Sequence, residues 1–206
     1  MIRLALLLLL ACLPCLARTE DLGDGLSYAR VHALPSDLPT LPRPAPRAWI
    51  LDVRYVAGGP NEAALLETWV SLNARPSSPV FLLVNASTGA ALIARFSNRA
   101  LPGLILVGPR RPGLRPDLAV ATPPDLERRA YLALDAGTPI LTLVTDYPGK
   151  PRVDEEKLTK EHLQDIDAPE QPIEDPSHPS APPPLIDAVL QRAVQVERGL
   201  VALKKL

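Results

Sequence analysis

The chain has 206 residues, enough for one domain with a sizeable core, and a formal net charge of −1. That balance gives no argument for nucleic acid or an anionic surface as a partner, and none is expected. Prolines number 25 and aromatic residues only 4%; the prolines gather in 34–46, 109–124 and 169–184, which therefore read as connectors rather than core.

Residues 1–17 read as a signal peptide. Arg3 is the charged start, and the apolar run 4–11 is too short for a permanent membrane span. Two endings are open: cleavage after Ala17, or a lipoprotein pattern at 9–12 with a lipid anchor on Cys12. The chain is thus expected to be exported, to the periplasm or beyond. Both cysteines, Cys12 and Cys15, fall inside this segment. A chain cleaved after Ala17 has no disulfide, no thiolate nucleophile and no cysteine metal site. His32, His162 and His178 are too scattered for zinc spacing and read as surface residues. No metal and no cofactor is expected.

Residues 18–47 are polar and then proline-rich, without a sustained period, and read as an N-terminal arm. The main domain is placed at 48–153. It opens with an almost unbroken apolar strand at 48–53, as in a parallel sheet covered on both faces. Asp52 and Arg54 share one face of that strand's end and read as an ion pair that fixes the turn. Gly58 and Gly59 end the turn. Residues 60–73 follow as a helix, with Pro60 at its start and Leu65, Leu66, Trp69, Val70 and Asn73 at helical spacing.

Residues 80–84 form a second buried strand, 85–89 a small polar turn, and 90–96 a second helix. Ser87 is placed to cap it, because its hydroxyl can accept a first-turn N–H. Strand, sharp turn and helix are also where serine hydrolases hold a nucleophile, although an ordinary βα unit has the same appearance. A third buried strand at 104–107 completes a β-α-β-α-β order, which argues for a parallel sheet with right-handed crossovers. Residues 108–125 read as irregular, 127–134 as either helix or strand, and 139–144 as a strand. A charged helix is expected at 154–166 and a disordered, acidic, proline-rich linker at 167–184. The last stretch, 185–206, carries one apolar stripe and reads as an amphipathic helix, docked on the domain or paired with a second copy in an oligomer.

Several of these residues resemble one family. Leu51-Asp52-Val53-Arg54 followed by Gly58-Gly59 is similar to a motif of the carboxyl-terminal processing (tail-specific) serine peptidases. The stretch 84–91 resembles the strand and turn that carry that family's nucleophile. Leu106-Val107-Gly108 looks like the strand that leads to its lysine, and 131–149, with Asp135, Gly137 and Tyr147-Pro148-Gly149, is similar to its later β-meander. The resemblance spans about 48–149. It implies a crotonase-like (Clp-protease-like) α/β core and an oxyanion-type backbone site at Gly58 and Gly59.

The departures are chemical. Aligning Thr88 with the family's turn threonine places Ala90 where the nucleophilic serine belongs, and Leu114 where the lysine base belongs. Alanine has no nucleophile. The neighbouring Arg110, Arg111 and Arg115 cannot lose a proton at neutral pH and cannot act as bases, though they can bind a carboxylate. The 18–47 arm is also too short for the family's peptide-binding PDZ module. The expectation is a non-catalytic module for a peptide or protein partner. The alternative is an active serine peptidase with a shifted nucleophile, Ser87, and a base such as Lys150 or His162.

Overall fold

A computed structural model describes residues 19–40, 45–97, 101–144 and 184–206. The signal peptide with Cys12 and Cys15, the helix expected at 154–166, nearly all of the 167–184 linker, Lys150, His162, His178 and Tyr147-Pro148-Gly149 lie outside the described residues. Among those described, no helix is long and apolar enough to cross a membrane.

The fold is α/β. Among the described residues, six strands stand side by side in chain order: β1 (Thr19–Asp21), β2 (Leu26–Arg30), β3 (Ala48–Asp52), β4 (Val80–Leu83), β5 (Leu104–Gly108) and β6 (Leu118–Ala119). β1 is antiparallel to β2, and the others run parallel. Between β3 and β4 lies helix α1 (Pro60–Asn73), and between β4 and β5 lies α2 (Ala90–Ser97). After β6 come α3 (Pro124–Asp135), the short α4 (Ile140–Leu143) and the C-terminal α5 (Ala188–Ala202).

Strand order that never reverses has a consequence for the layers. Right-handed crossovers that always step in the same direction stay on one face of the sheet. That face carries Trp49, Leu51, Val53, Val80, Leu82, Val84 and Leu106, packed with Ala63, Leu66 and Val70 of α1 and Leu92, Ile93 and Phe96 of α2. Trp49 meets Trp69 of α1 edge-on, with ring centroids 5.9 Å apart. The opposite face presents Tyr28, Ile50, Phe81, Leu83 and Val107, and no crossover can cover it. Leu134, Ile140 and Leu143 of α3 and α4 do so, together with Val189, Leu190, Ala193 and Val194 of α5. Each strand residue thus alternates between two cores, so β3 and β4 are buried throughout and read as unbroken apolar runs.

The structure corrects three expectations. Residues 18–47 are not simply an arm: β2 pairs in register with β3, from Leu26 opposite Ala48 to Arg30 opposite Asp52, and Leu26, Tyr28 and Ala29 are core residues. Residues 139–144 are not a strand; Ile140–Leu143 is a helical turn whose apolar side lies on the second face. The β-meander expected over 131–149 is absent from its described part, since Tyr131 and Asp135 belong to α3. The 127–134 ambiguity resolves as helix. The last helix docks on the domain's own sheet, against β4 and β5.

Candidate functional site

The C-terminal ends of β2, β3 and β4 carry a buried polar cluster. Asp52 ends β3, and the guanidinium of Arg54 folds back on it, with Nε donating to Oδ1 at 3.0 Å and Nη2 to Oδ2 at 2.7 Å. Arg54 also donates from Nη1 and Nη2 to the two carboxylate oxygens of Asp187, at 2.9 and 2.7 Å. All three side chains are fully buried. Tyr28 adds a fourth partner, its hydroxyl donating to Asp52 Oδ2 at 2.9 Å. Burial alone disfavours the Arg54 charge, but Asp187 and Asp52 outweigh it and hold the guanidinium protonated beyond its ordinary range. Burial, reinforced by the Asp52 carboxylate, raises the Tyr28 phenol well above its usual value, so it remains a neutral donor. The Asp52–Arg54 pair read from the sequence is present, but it is two members of a triad that Asp187 completes.

Helix α3 lies across these strand ends. Glu127 accepts from Asn85 Nδ2, just past β4, at 2.8 Å. Tyr131 meets Tyr55, just past β3, with ring centroids 4.6 Å apart. Asp135 accepts from Arg30 Nη2, the last residue of β2, at 3.0 Å. The spacing follows from geometry. Four helical residues advance about 6 Å and neighbouring strands stand about 4.8 Å apart, so one side of α3 meets one strand end per turn. Burial raises the Glu127 carboxyl above its ordinary range despite the Asn85 hydrogen bond.

The two turns singled out from the sequence meet. Gly89 N–H donates to the Val56 carbonyl at 2.9 Å, and a Cβ on Gly89 would stand 2.9 Å from the Gly58 nitrogen and 3.1 Å from its oxygen. The turn is held from within: Asn85 Oδ1 accepts from Ser87 N–H and Thr88 N–H at 3.0 Å each, and the Thr88 hydroxyl donates to the Val53 carbonyl at 3.2 Å. Ser87 is not the helix cap, because α2 starts at Ala90 and Ile93 N–H reaches the Gly89 carbonyl. Ser87 is exposed and, among the described residues, its hydroxyl makes no hydrogen bond. Of the expected oxyanion pair, Gly59 N–H donates to Glu62 Oε2 at 3.0 Å as part of the α1 cap, and Gly58 N lies against Gly89.

The loop after β5 folds into a tight reversal. Arg111 and Leu114 exchange backbone hydrogen bonds, with Gly113 at φ +77°. Leu114 is 1% exposed and belongs to the core beside α2. Arg110, Arg111 and Arg115 line a cavity of 530 Å³ with Leu114 and Pro116. Arg111 Nη1 crosses to the Asn85–Gly89 turn and donates to the Ala86 carbonyl at 2.8 Å. Arg111 therefore joins this cavity to the turn that precedes Ala90.

Sequence reasoning missed a second cavity, of 230 Å³, lined by His32, Tyr55, Arg128, Tyr131 and Leu132. Its residues are a hundred positions apart and share no motif. The available signal was the Glu127, Tyr131, Asp135 spacing on one helix face. His32 is exposed as expected, but its Nε2 lies 3.9 Å from Asp135. Among the described residues, no group of three or more His, Cys, Asp or Glu is placed to hold a metal ion.

No family model, no curated protein and no solved structure matches this chain.

Proposed function

We propose that this chain is an exported, degenerate relative of the tail-specific serine peptidases, with a crotonase-like core, that binds a peptide or protein partner without cleaving it. The observation that carries this reading is Leu114. The position that would hold the base is an apolar side chain sealed in the core at 1% exposure, beside a turn whose nucleophile position is Ala90. A sequentially ordered parallel sheet with its crossovers on one face, and a Gly58 turn in contact with the Gly89 turn, support the likeness. With Gly59 N–H turned to Glu62, an acyl intermediate would lack one of its donors.

The binding face in this reading is the arginine-lined cavity after β5. α3 covers the ends of β2 to β4, whereas α/β sheets generally bind ligands at strand C-termini. The cavity remains open there and carries positive charge suited to a carboxylate. Attachment to a membrane, in this reading, is through a lipid on Cys12, and α5 is a packing helix rather than an oligomer contact.

The test uses the mature full-length chain. A fluorophosphonate probe should leave it unlabelled, and Ala90→Ser alone should give no peptide turnover. Fluorescein-labelled peptides with a free C-terminal carboxylate should bind, and the triple change Arg110→Glu, Arg111→Glu, Arg115→Glu should abolish binding. Labelling that disappears in Ser87→Ala would overturn the reading in favour of an active serine peptidase.

A further inference from the structure

The second cavity has a chemistry of its own. Its floor is aromatic: Tyr55 and Tyr131 touch at a 55° tilt, 4.6 Å between centroids. Leu132, 46% exposed, adds an apolar wall. Behind Tyr131, on the protein side, the Arg30 guanidinium lies 3.5 Å from the ring centroid and that of Arg54 5.3 Å away. Those two cations are already answered, Arg30 by Asp135 and Arg54 by Asp52 and Asp187. Arg128 is different. It stands at the rim, 5.8 Å from the Tyr55 ring, and among the described residues it forms no ion pair. Glu127, its neighbour in sequence, is turned inward to Asn85. Of the polar side chains that line the cavity, Arg128 supplies a guanidinium and His32 an imidazole; Asp135, half exposed at its edge, is engaged by Arg30 at 3.0 Å through one oxygen and lies 3.9 Å from His32 Nε2 through the other.

The backbone at Tyr55 is the second, independent observation. Its φ is +63°, in the left-handed region that costs a residue with a Cβ free energy and favours glycine or asparagine. The turn from Val53 to Val56 is closed by Val56 N–H on the Val53 carbonyl at 3.3 Å, and a glycine would make it with less strain. A tyrosine held there against local preference, with its ring on a cavity wall, is what a ligand-facing position looks like. Burial, and then the Glu127 carboxylate, raise the Tyr55 phenol; burial, and then Asp52, raise that of Tyr131. Both rings stay neutral and stack rather than repel an anion.

We infer that the cavity between Tyr55, Tyr131, Leu132 and Arg128 binds a small aromatic carboxylic acid, its ring on the two tyrosines and its carboxylate on Arg128. A planar ring fits a tilted aromatic pair in an offset or edge-on arrangement, and a guanidinium at the rim that has no ion pair among the described residues recognises a carboxylate through two parallel hydrogen bonds. A metal cation or a quaternary amine is disfavoured, because both ring systems already face guanidinium groups. The site is independent of the arginine cavity after β5 and does not depend on its assignment.

The experiment is a titration of the mature full-length chain with benzoate and with its neutral isostere benzamide, followed by amide chemical shifts. Benzoate should saturate with shifts centred on Tyr55, Arg128 and Tyr131, and benzamide should bind about tenfold more weakly, the loss expected for one charge-assisted contact. Arg128→Ala should erase the difference between the two probes. Tyr55→Gly relieves the backbone, so loss of benzoate binding in a variant that melts no lower than the parent isolates the ring's role. Equal binding of the two probes, shifts centred on 110–115, no saturation at millimolar benzoate, or unchanged affinity in either variant would each overturn the proposal.

Discussion

Arg54 and Asp187 are 133 residues apart and form a two-pronged ion pair, 2.9 and 2.7 Å, with neither side chain reaching solvent. The same Asp187 caps α5, accepting from Leu190 N–H at 3.1 Å. One carboxylate thus fixes the start of the last helix and joins it to the end of β3.

Asp187→Ala removes both contacts and leaves a buried guanidinium with one carboxylate. Breaking a buried pair by deleting one partner costs about 3–5 kcal/mol. Urea unfolding should report a loss of that order, and Asp187→Asn, which keeps the cap, should lose less. A loss under about 1 kcal/mol for Asp187→Ala would mean that α5 is held by its apolar face alone.

Leu82, fully buried in the centre of β4, should lose about 2–5 kcal/mol on truncation to alanine, from transfer and cavity together. Leu72, 67% exposed on α1, is the matched control, and its truncation should stay within about 0.5 kcal/mol. Comparable melting shifts for both would show that β4 is not central.

Gly89→Ala should pry the two turns apart. The new methyl would meet Gly58 backbone atoms at 2.9 and 3.1 Å and the Val56 carbonyl at 3.4 Å, none of which can rotate away. Overpacking of this kind costs about 1–3 kcal/mol. Gly113→Ala meets no atom within 4 Å, so its penalty, from φ +77° alone, should be nearer 1 kcal/mol. Equal thermal shifts would show that the Gly58–Gly89 contact carries no weight.

Glu197 is 1% exposed on α5, and among the described residues neither carboxylate oxygen has a hydrogen-bond partner. Burial raises its carboxyl above the ordinary range; Arg47 pulls it down, Asp24 pushes it up by less, and Arg198 pulls it down least. The folded state therefore holds this proton more tightly than the unfolded chain. Its contribution is fully present below the ordinary carboxylate range and is lost as pH rises through the raised folded value. Glu197→Gln should flatten that part of the stability–pH curve and be more stable than the parent at neutral pH. Parallel curves for parent and variant across that window would refute this account.

The elements that could be read from the sequence are those whose residues carry their own pattern. β3 and β4 are apolar runs because both sheet faces are covered, and α1 and α5 keep helical spacing because one side of each meets the sheet. β2 escaped notice because Leu26-Ser-Tyr-Ala-Arg30 is short, bounded by Gly25, and owes its conformation to pairing with β3. Ile140–Leu143 has β-branched and apolar residues in a form that suits a strand, and tertiary packing made it a helical turn instead. At the site, Gly58, Gly89, Ala90 and the arginine loop were legible as motifs in order. Asp187 was visible only as an acid in a first helical turn; its partner across the sheet depends on topology. Tyr55, Arg128 and Tyr131 had no common motif because α3 brings them together only after it crosses three strand ends.

The uninterrupted strand order also sets a schedule for the nascent chain. As it emerges N-terminus first, β2 to β5 and the two helical crossovers among them can close one core at once from neighbouring pieces. The opposite face, with Ile50, Phe81, Leu83 and Val107, is covered in part by Leu134, Ile140 and Leu143 and completed only by residues beyond 187. At roughly 5–20 residues per second of synthesis, the part of that sheet left to α5 stands open for several seconds, a window in which a holdase chaperone has a surface to grip and a chain ending before α5 has only its neighbours to stick to.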